Sequence, residues 1–115
     1  MSLVKINEEQ KGIIESGLLA LATTDHYCGP NVIILNGAKV VSDTQIIVTD
    51  IATDKTKINL EEDPRAAIAA WLPDGSLAYQ FKGEVEYQES NLILNVTQIW
   101  NINNGELISG EPDDK

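Results

Sequence analysis

Short apolar runs, each closed by a strong turn signal, constrain this chain more than any other feature. Leu18–Thr24 (LLALATT) runs into Asp25-His26-Tyr27-Cys28-Gly29-Pro30, and Asn31–Leu35 (NVIIL) stops at Asn36-Gly37. Ala38–Val41 ends at Ser42-Asp43-Thr44, after which Gln45–Thr49 (QIIVT) resumes. Runs this short, rich in Val, Ile and Thr and broken by Asn-Gly or Gly-Pro, are strands of antiparallel hairpins. Arg65–Leu72 (RAAIAAWL) has the alanine content of a helix, but its span between Asp63-Pro64 and Pro73-Asp74-Gly75 fits a buried strand better. Leu77–Gln88 alternates Leu77, Tyr79 and Phe81 against Ala78, Gln80 and Lys82, which predicts a long half-exposed strand bent at Gly83. Leu92–Ile102 is a further strand; Asn103-Asn104-Gly105 turns it toward a short return at Glu106–Ile108, and residues 110–115 read as a loose tail.

Two segments break this texture. In Asn7–Ser16, Asn7 can cap, Glu8 and Glu9 suit a first turn, Gln10, Ile13 and Ile14 recur on adjoining faces, and Gly17 stops the helix. Thr53–Glu62 is also helical, capped by Thr53 or Asp54, with Ile58 and Leu60 or Ile51 forming a narrow apolar stripe and Asp63-Pro64 ending it. The fold class is therefore mainly β with short helices: an antiparallel barrel or sandwich plugged by helices. At 115 residues a single domain over 1–115 is expected, since smaller pieces could not bury a core.

Charge and composition remove several function classes. Eight basic against 18 acidic residues give a net charge of −10, so no nucleic acid and no anionic membrane surface is an expected partner. The longest apolar runs are far too short for a bilayer span of about 20 helical residues. MSLVKINEEQ carries no secretory h-region, so a cytoplasmic location is the expectation. One cysteine and one histidine exclude an intrachain disulfide framework and multi-histidine metal centres. Cys28 has no basic neighbour in sequence to activate it, and His26 sits in a turn where side chains face water. Glu61-Glu62-Asp63 and the Glu84/Glu86 pair read as solvated faces, leaving catalytic residues unassigned and no metal expected.

The basic residues carry more information. Lys55 and Thr56 follow the strand QIIVT at the start of a predicted helix, where free N–H groups and the dipole favour a phosphate. Neither a Walker sequence nor GxGxxG is present. Taken in order, LLALATTDHYCGPNV (18–32), IIVTDIATDKTKINLEEDPRAAIAAW (46–71) and YQFKGEVEY (79–87) resemble the pyridoxamine 5′-phosphate oxidase-like FMN-binding split β-barrel superfamily, small stand-alone members above all. The resemblance covers most of residues 7–100. It implies a six-stranded antiparallel Greek-key split barrel that forms a homodimer, with FMN between protomers.

Carried over by motif, Lys55 and Thr56 would hold the FMN phosphate. Asp50, Ile51 and Ala52 would line the ribityl chain and ring, and Val32, Ile33, Ile34 and Leu35 would pass the isoalloxazine largely through backbone groups. The implied activity is that of an oxidoreductase or electron-transfer flavoprotein. The apolar Ile33-Ile34-Leu35 run and the tight Gln88–Asn91 connection point to an alternative, a split-barrel dimer that has lost FMN and serves as a ligand-binding or protein-interaction module. Trp71 and Trp100 read as core or interface residues.

Overall fold

A computed structural model describes residues 2–25, 27–49, 54–88 and 91–112, with the side chains of residues 54, 55 and 88 outside that description. The chain runs α1 (Glu8–Ser16), β1 (Leu18–Thr24), β2 (Pro30–Leu35), β3 (Lys39–Ser42), β4 (Gln45–Val48), α2 (Asp54–Glu62), β5 (Arg65–Trp71), β6 (Ala78–Gln88), β7 (Asn91–Asn101) and β8 (Leu107–Ser109). One antiparallel sheet takes the order β2-β1-β5-β6-β7-β4-β3, with β8 added on β7. β4 lies beside β7, at the far end of the β5-β6-β7 meander, which is a Greek-key connection.

Eight strands are present among the described residues where six were expected. The difference lies in β3 and β8, of 4 and 3 residues, which pair only with β4 and β7 respectively. Strand alternation builds the core. Leu19, Leu21, Ile68, Ala70, Phe81, Leu92, Leu94 and Val96 point inward and are buried, while the intervening positions of β1, β5 and β6 turn outward.

Local chemistry explains the helices. Asn7 accepts the Gln10 backbone N–H at 2.8 Å and Gln10 Oε1 accepts the Asn7 N–H at 2.9 Å, a reciprocal cap that satisfies two otherwise orphaned donors. Ile13, Ile14 and Gln10 are buried, and α1 packs against β1, β3 and β5. On α2 the expected stripe is corrected. Leu60 is buried as expected, but Ile58 is exposed, and Thr56 and Asn59 are buried in its stead, because Thr23 and Asn31 on the strands beneath supply polar partners that an isoleucine could not use.

Gly83 marks a β-bulge. Lys82 pairs with Gln98 but Gly83 pairs with Val96, so Thr97 is the extra residue on β7. A Cβ at Gly83 would collide with the Asn95 carbonyl oxygen, so the bend requires glycine. Residues 110 and 111, expected to begin a loose tail, lie against β7: Gln98 Nε2 donates to the Glu111 carbonyl at 2.6 Å, and Gly110 approaches the Thr97 backbone with φ of 93°.

Candidate functional site

The inner face of α2 is fixed on the β1–β2 hairpin by paired polar contacts. Thr23 and Asn31 are opposite each other in the strand register. Asn31 Nδ2 donates to the buried Thr56 hydroxyl at 3.3 Å, and Asn59 Nδ2 donates to the Thr23 hydroxyl at 3.1 Å. Asn59 Oδ1 is buried without a hydrogen-bond partner in the described structure. The helix is thus held over the strands by amides and hydroxyls beside the buried Leu60, a geometry sensitive to single-atom changes.

This arrangement brings together some of the residues singled out from sequence. Residue 55 lies in the first turn of α2 and Thr56 meets the beginning of β2, but Thr56 turns inward. Val32 and Ile34 point outward and are 64% and 75% exposed, whereas Ile33 is half-buried and Leu35 faces the core. Among the described residues β2 pairs only with β1, so the backbone along its other side stands outside the ladder. Asp50, Ile51 and Ala52 lie outside the described residues, as does His26.

The outward face of the sheet is unusually apolar. One cross-strand row reads Ile34, Ala20, Ala69, Gln80, Trp100, and the next reads Val32, Ala22, Ala67, Lys82, Gln98. Leu18 opposite Trp71 begins a third row, and Leu18 is 48% exposed. Alanines therefore floor a trough, with the β-branched ridge of β2 on one side and larger side chains of β6 and β7 on the other.

Where this face meets the Thr24–Pro30 turn, a groove of about 390 Å³ opens. Ala22, Ala67 and Gly83 form part of its lining, together with Arg65, Lys82 and Gln98. Its polar groups are held in place. Asp63 grips the Arg65 guanidinium through Nε at 3.0 Å and Nη2 at 2.6 Å, and this hydrogen-bonded pairing holds the Asp63 carboxyl at about 2. The Lys82 ammonium lies 5.4 Å from the Trp100 ring centre, and the Trp100 indole donates to Gln98 Oε1 at 2.9 Å. Across the barrel, the Tyr79 hydroxyl donates to Glu9 at 2.5 Å, which pushes the phenol above its ordinary range.

Sequence reasoning missed this groove. Alternation along β6 does put Lys82 on the polar side, but its meeting with Gln98 depends on the bulge at Gly83, and alternation alone does not show which residue of the facing strand is the extra one. Among the described residues no group of three His, Cys, Asp or Glu side chains could hold a metal, and no helix is long and apolar enough to cross a membrane.

Comparison with known structures shows which fold this architecture has. HupZ of group A Streptococcus matches with a TM-score of 0.82 and 23% identity, covering 90% of this chain and 99% of that one. An FMN-binding protein of Syntrophomonas wolfei matches with a TM-score of 0.71 and 17% identity over 80% of this chain and 82% of its own. A proposed pyridoxamine 5′-phosphate oxidase of Lactobacillus delbrueckii matches at 0.72, with 18% identity, covering 84% of this chain and 93% of that one. The fold is the pyridoxamine 5′-phosphate oxidase-like split barrel.

Split barrels of this shape carry different cofactors: an F420 reductase and a heme-binding protein of Mycobacterium smegmatis are also similar, with TM-scores of 0.62 and 0.65. In sequence, the uncharacterized protein MJ0282 of Methanocaldococcus jannaschii is 27% identical over 99 residues, which are 84% of this chain and 66% of that protein. This chain therefore spans just under two thirds of that relative's length. No family model matches the chain.

Proposed function

We propose that this chain is an FMN-binding flavoprotein of the pyridoxamine 5′-phosphate oxidase-like type, an oxidoreductase or electron-transfer protein working as a cytoplasmic homodimer with the cofactor between protomers. The observation that carries the reading is the convergence of the free edge of β2 with the first turns of α2, joined by the Asn31–Thr56 contact. The residues fit the group. Val32 and Ile34 offer exposed apolar surface for a ring, and the edge backbone offers donors and acceptors for its polar rim. Lys55, with the N–H groups of the α2 start, would hold the phosphate beside Thr56, and Asp50, Ile51 and Ala52 would line the remainder.

Bound flavin supplies the electron chemistry. The protein's part is binding, orientation and exclusion of water. The outward face supports the dimer: its ridge of Val32 and Ile34 stands beside an alanine-floored trough, and a two-fold axis would seat each ridge in the partner's trough.

One observation favours the second reading, a dimeric module that has lost FMN. The Thr56 hydroxyl is buried against Asn31, so less of the expected phosphate grip is turned outward. An absorbance spectrum of the purified protein, followed by FMN titration, separates the two. Flavin bands, with affinity falling at least tenfold in Lys55→Ala, support the proposal. A colourless protein unaltered by added FMN rejects it in favour of the module, and a Soret band would transfer the reading to heme.

A further inference from the structure

We infer that Asn36-Gly37, on the connection between β2 and β3, is a self-modification site: Asn36 converts spontaneously to aspartate and isoaspartate, while the chain's other Asn-Gly step, Asn104-Gly105, is held back. The two steps carry the same local chemistry. In each, the glycine backbone nitrogen can attack the asparagine Cγ; a cyclic imide forms, the Cγ–Nδ2 bond breaks, and ammonia leaves with the glycine amide proton. Water then opens the imide at either carbonyl, giving aspartate or isoaspartate, the latter with a main chain longer by one methylene. The two steps differ in how the attacking and attacked groups are hydrogen-bonded.

At Asn104-Gly105 both groups are engaged. The Gly105 N–H donates to the Asn101 carbonyl at 2.8 Å, which opposes the deprotonation that attack requires. Asn104 Oδ1 accepts the Glu106 N–H at 2.9 Å, and Asn104 Nδ2 donates to Glu106 Oε2 at 3.4 Å. Ring closure there must first break these contacts. At Asn36-Gly37 neither group has such a bond to any described residue, both residues are exposed, and a Cβ at Gly37 would meet open space. Topology explains the contrast. A tight hairpin built on Asn-Gly would tie the dipeptide into its ladder, with positive φ at both residues. Here β2 pairs with β1 and β3 with β4, never with each other, and neither Asn36 nor Gly37 has a positive φ. The connection is anchored at both ends, since Leu35 and Ala38 are buried. Isoaspartate therefore lengthens the main chain between two core residues and adds a carboxylate at the end of β2.

FMN binding plays no part in this chemistry, so the test uses the full chain as purified. The protein is incubated in mildly alkaline buffer and each step is followed by peptide mapping with mass spectrometry, isoaspartate being counted by an isoaspartate-specific methyltransferase. Folded protein is expected to convert Asn36 at least tenfold faster than Asn104. In urea sufficient to unfold the chain, the two rates should converge to within about threefold, because neither step is then protected. Gly37→Ala places its Cβ in open space at an ordinary φ, so the fold is kept, and Asn36 conversion should slow at least tenfold with Asn104 unaltered. Conversion of Asn36 no faster than that of Asn104 in folded protein overturns the inference. So does a difference that persists undiminished in urea, which would belong to the local sequence and not to the fold. An unchanged Asn36 rate in Gly37→Ala overturns imide formation as the route.

Discussion

Replacing Val32 and Ile34 together by threonine tests the proposed dimer at its ridge. Both residues belong to β2 and point away from the core, with 64% and 75% of their surfaces exposed in the single chain. Threonine keeps the β-branch, so the strand itself is not weakened. Fully burying a Val or Ile side chain is worth about 1.5–3 kcal/mol, so covering these exposed fractions contributes roughly 3 kcal/mol per protomer. A two-fold interface uses the ridge twice, giving about 6 kcal/mol, of which threonine forfeits most. At 1.4 kcal/mol per decade, the dimer dissociation constant should rise by about three to four orders of magnitude. Sedimentation velocity across a dilution series measures this directly. Urea unfolding of the monomeric variant should match that of the parent chain diluted below its dimer dissociation constant. A double variant that dimerises with unchanged affinity would refute the ridge-and-trough reasoning, and loss of monomer stability would show that β2 packs differently from the arrangement described.

Two further expectations concern the bulge and the Arg65 anchor. Gly83→Ala forces a Cβ against the Asn95 backbone carbonyl, so overpacking should cost about 2–3 kcal/mol, read as a lower urea midpoint with an unchanged slope. Asp63 has its carboxyl pKa lowered from 3.8 to about 2 by Arg65, so its contribution is present above the unfolded value and fades as pH falls from about 4 toward 2. Discounted for the exposed guanidinium, that contribution is about 1 kcal/mol; Asp63→Asn should remove it at pH 7 and flatten the stability profile over that acid window, as measured by thermal melts across pH.

Most of the strand framework was legible because it is encoded locally. LLALATT and NVIIL alternate between core and outward positions and end at turn residues, and the Asn7 cap with Gln10 defines the start of α1 within four residues of sequence. Gly83 could be read as a bend for the same reason. The features closest to function depend instead on which residues of other elements they meet. Thr56 looks from sequence like a phosphate ligand at a helix start, and Ile58 looks like the buried stripe. The choice between them is made by Thr23 and Asn31, which bring polar partners to the underside of α2. A helix with so thin an apolar face has no strong preferred rotation of its own, so the strands beneath decide which side is buried. Lys82 shows the same logic from the opposite direction. Alternation assigns it to an ordinary polar face, and only the extra residue at Thr97 sets it opposite Gln98, above Trp100 and beside the alanine floor. The scarcity of positive charge thereby acquires a position. In a chain of net charge −10, the FMN proposal asks the first turn of α2, which carries residue 55, to receive a phosphate, and Lys55→Ala tests that requirement directly.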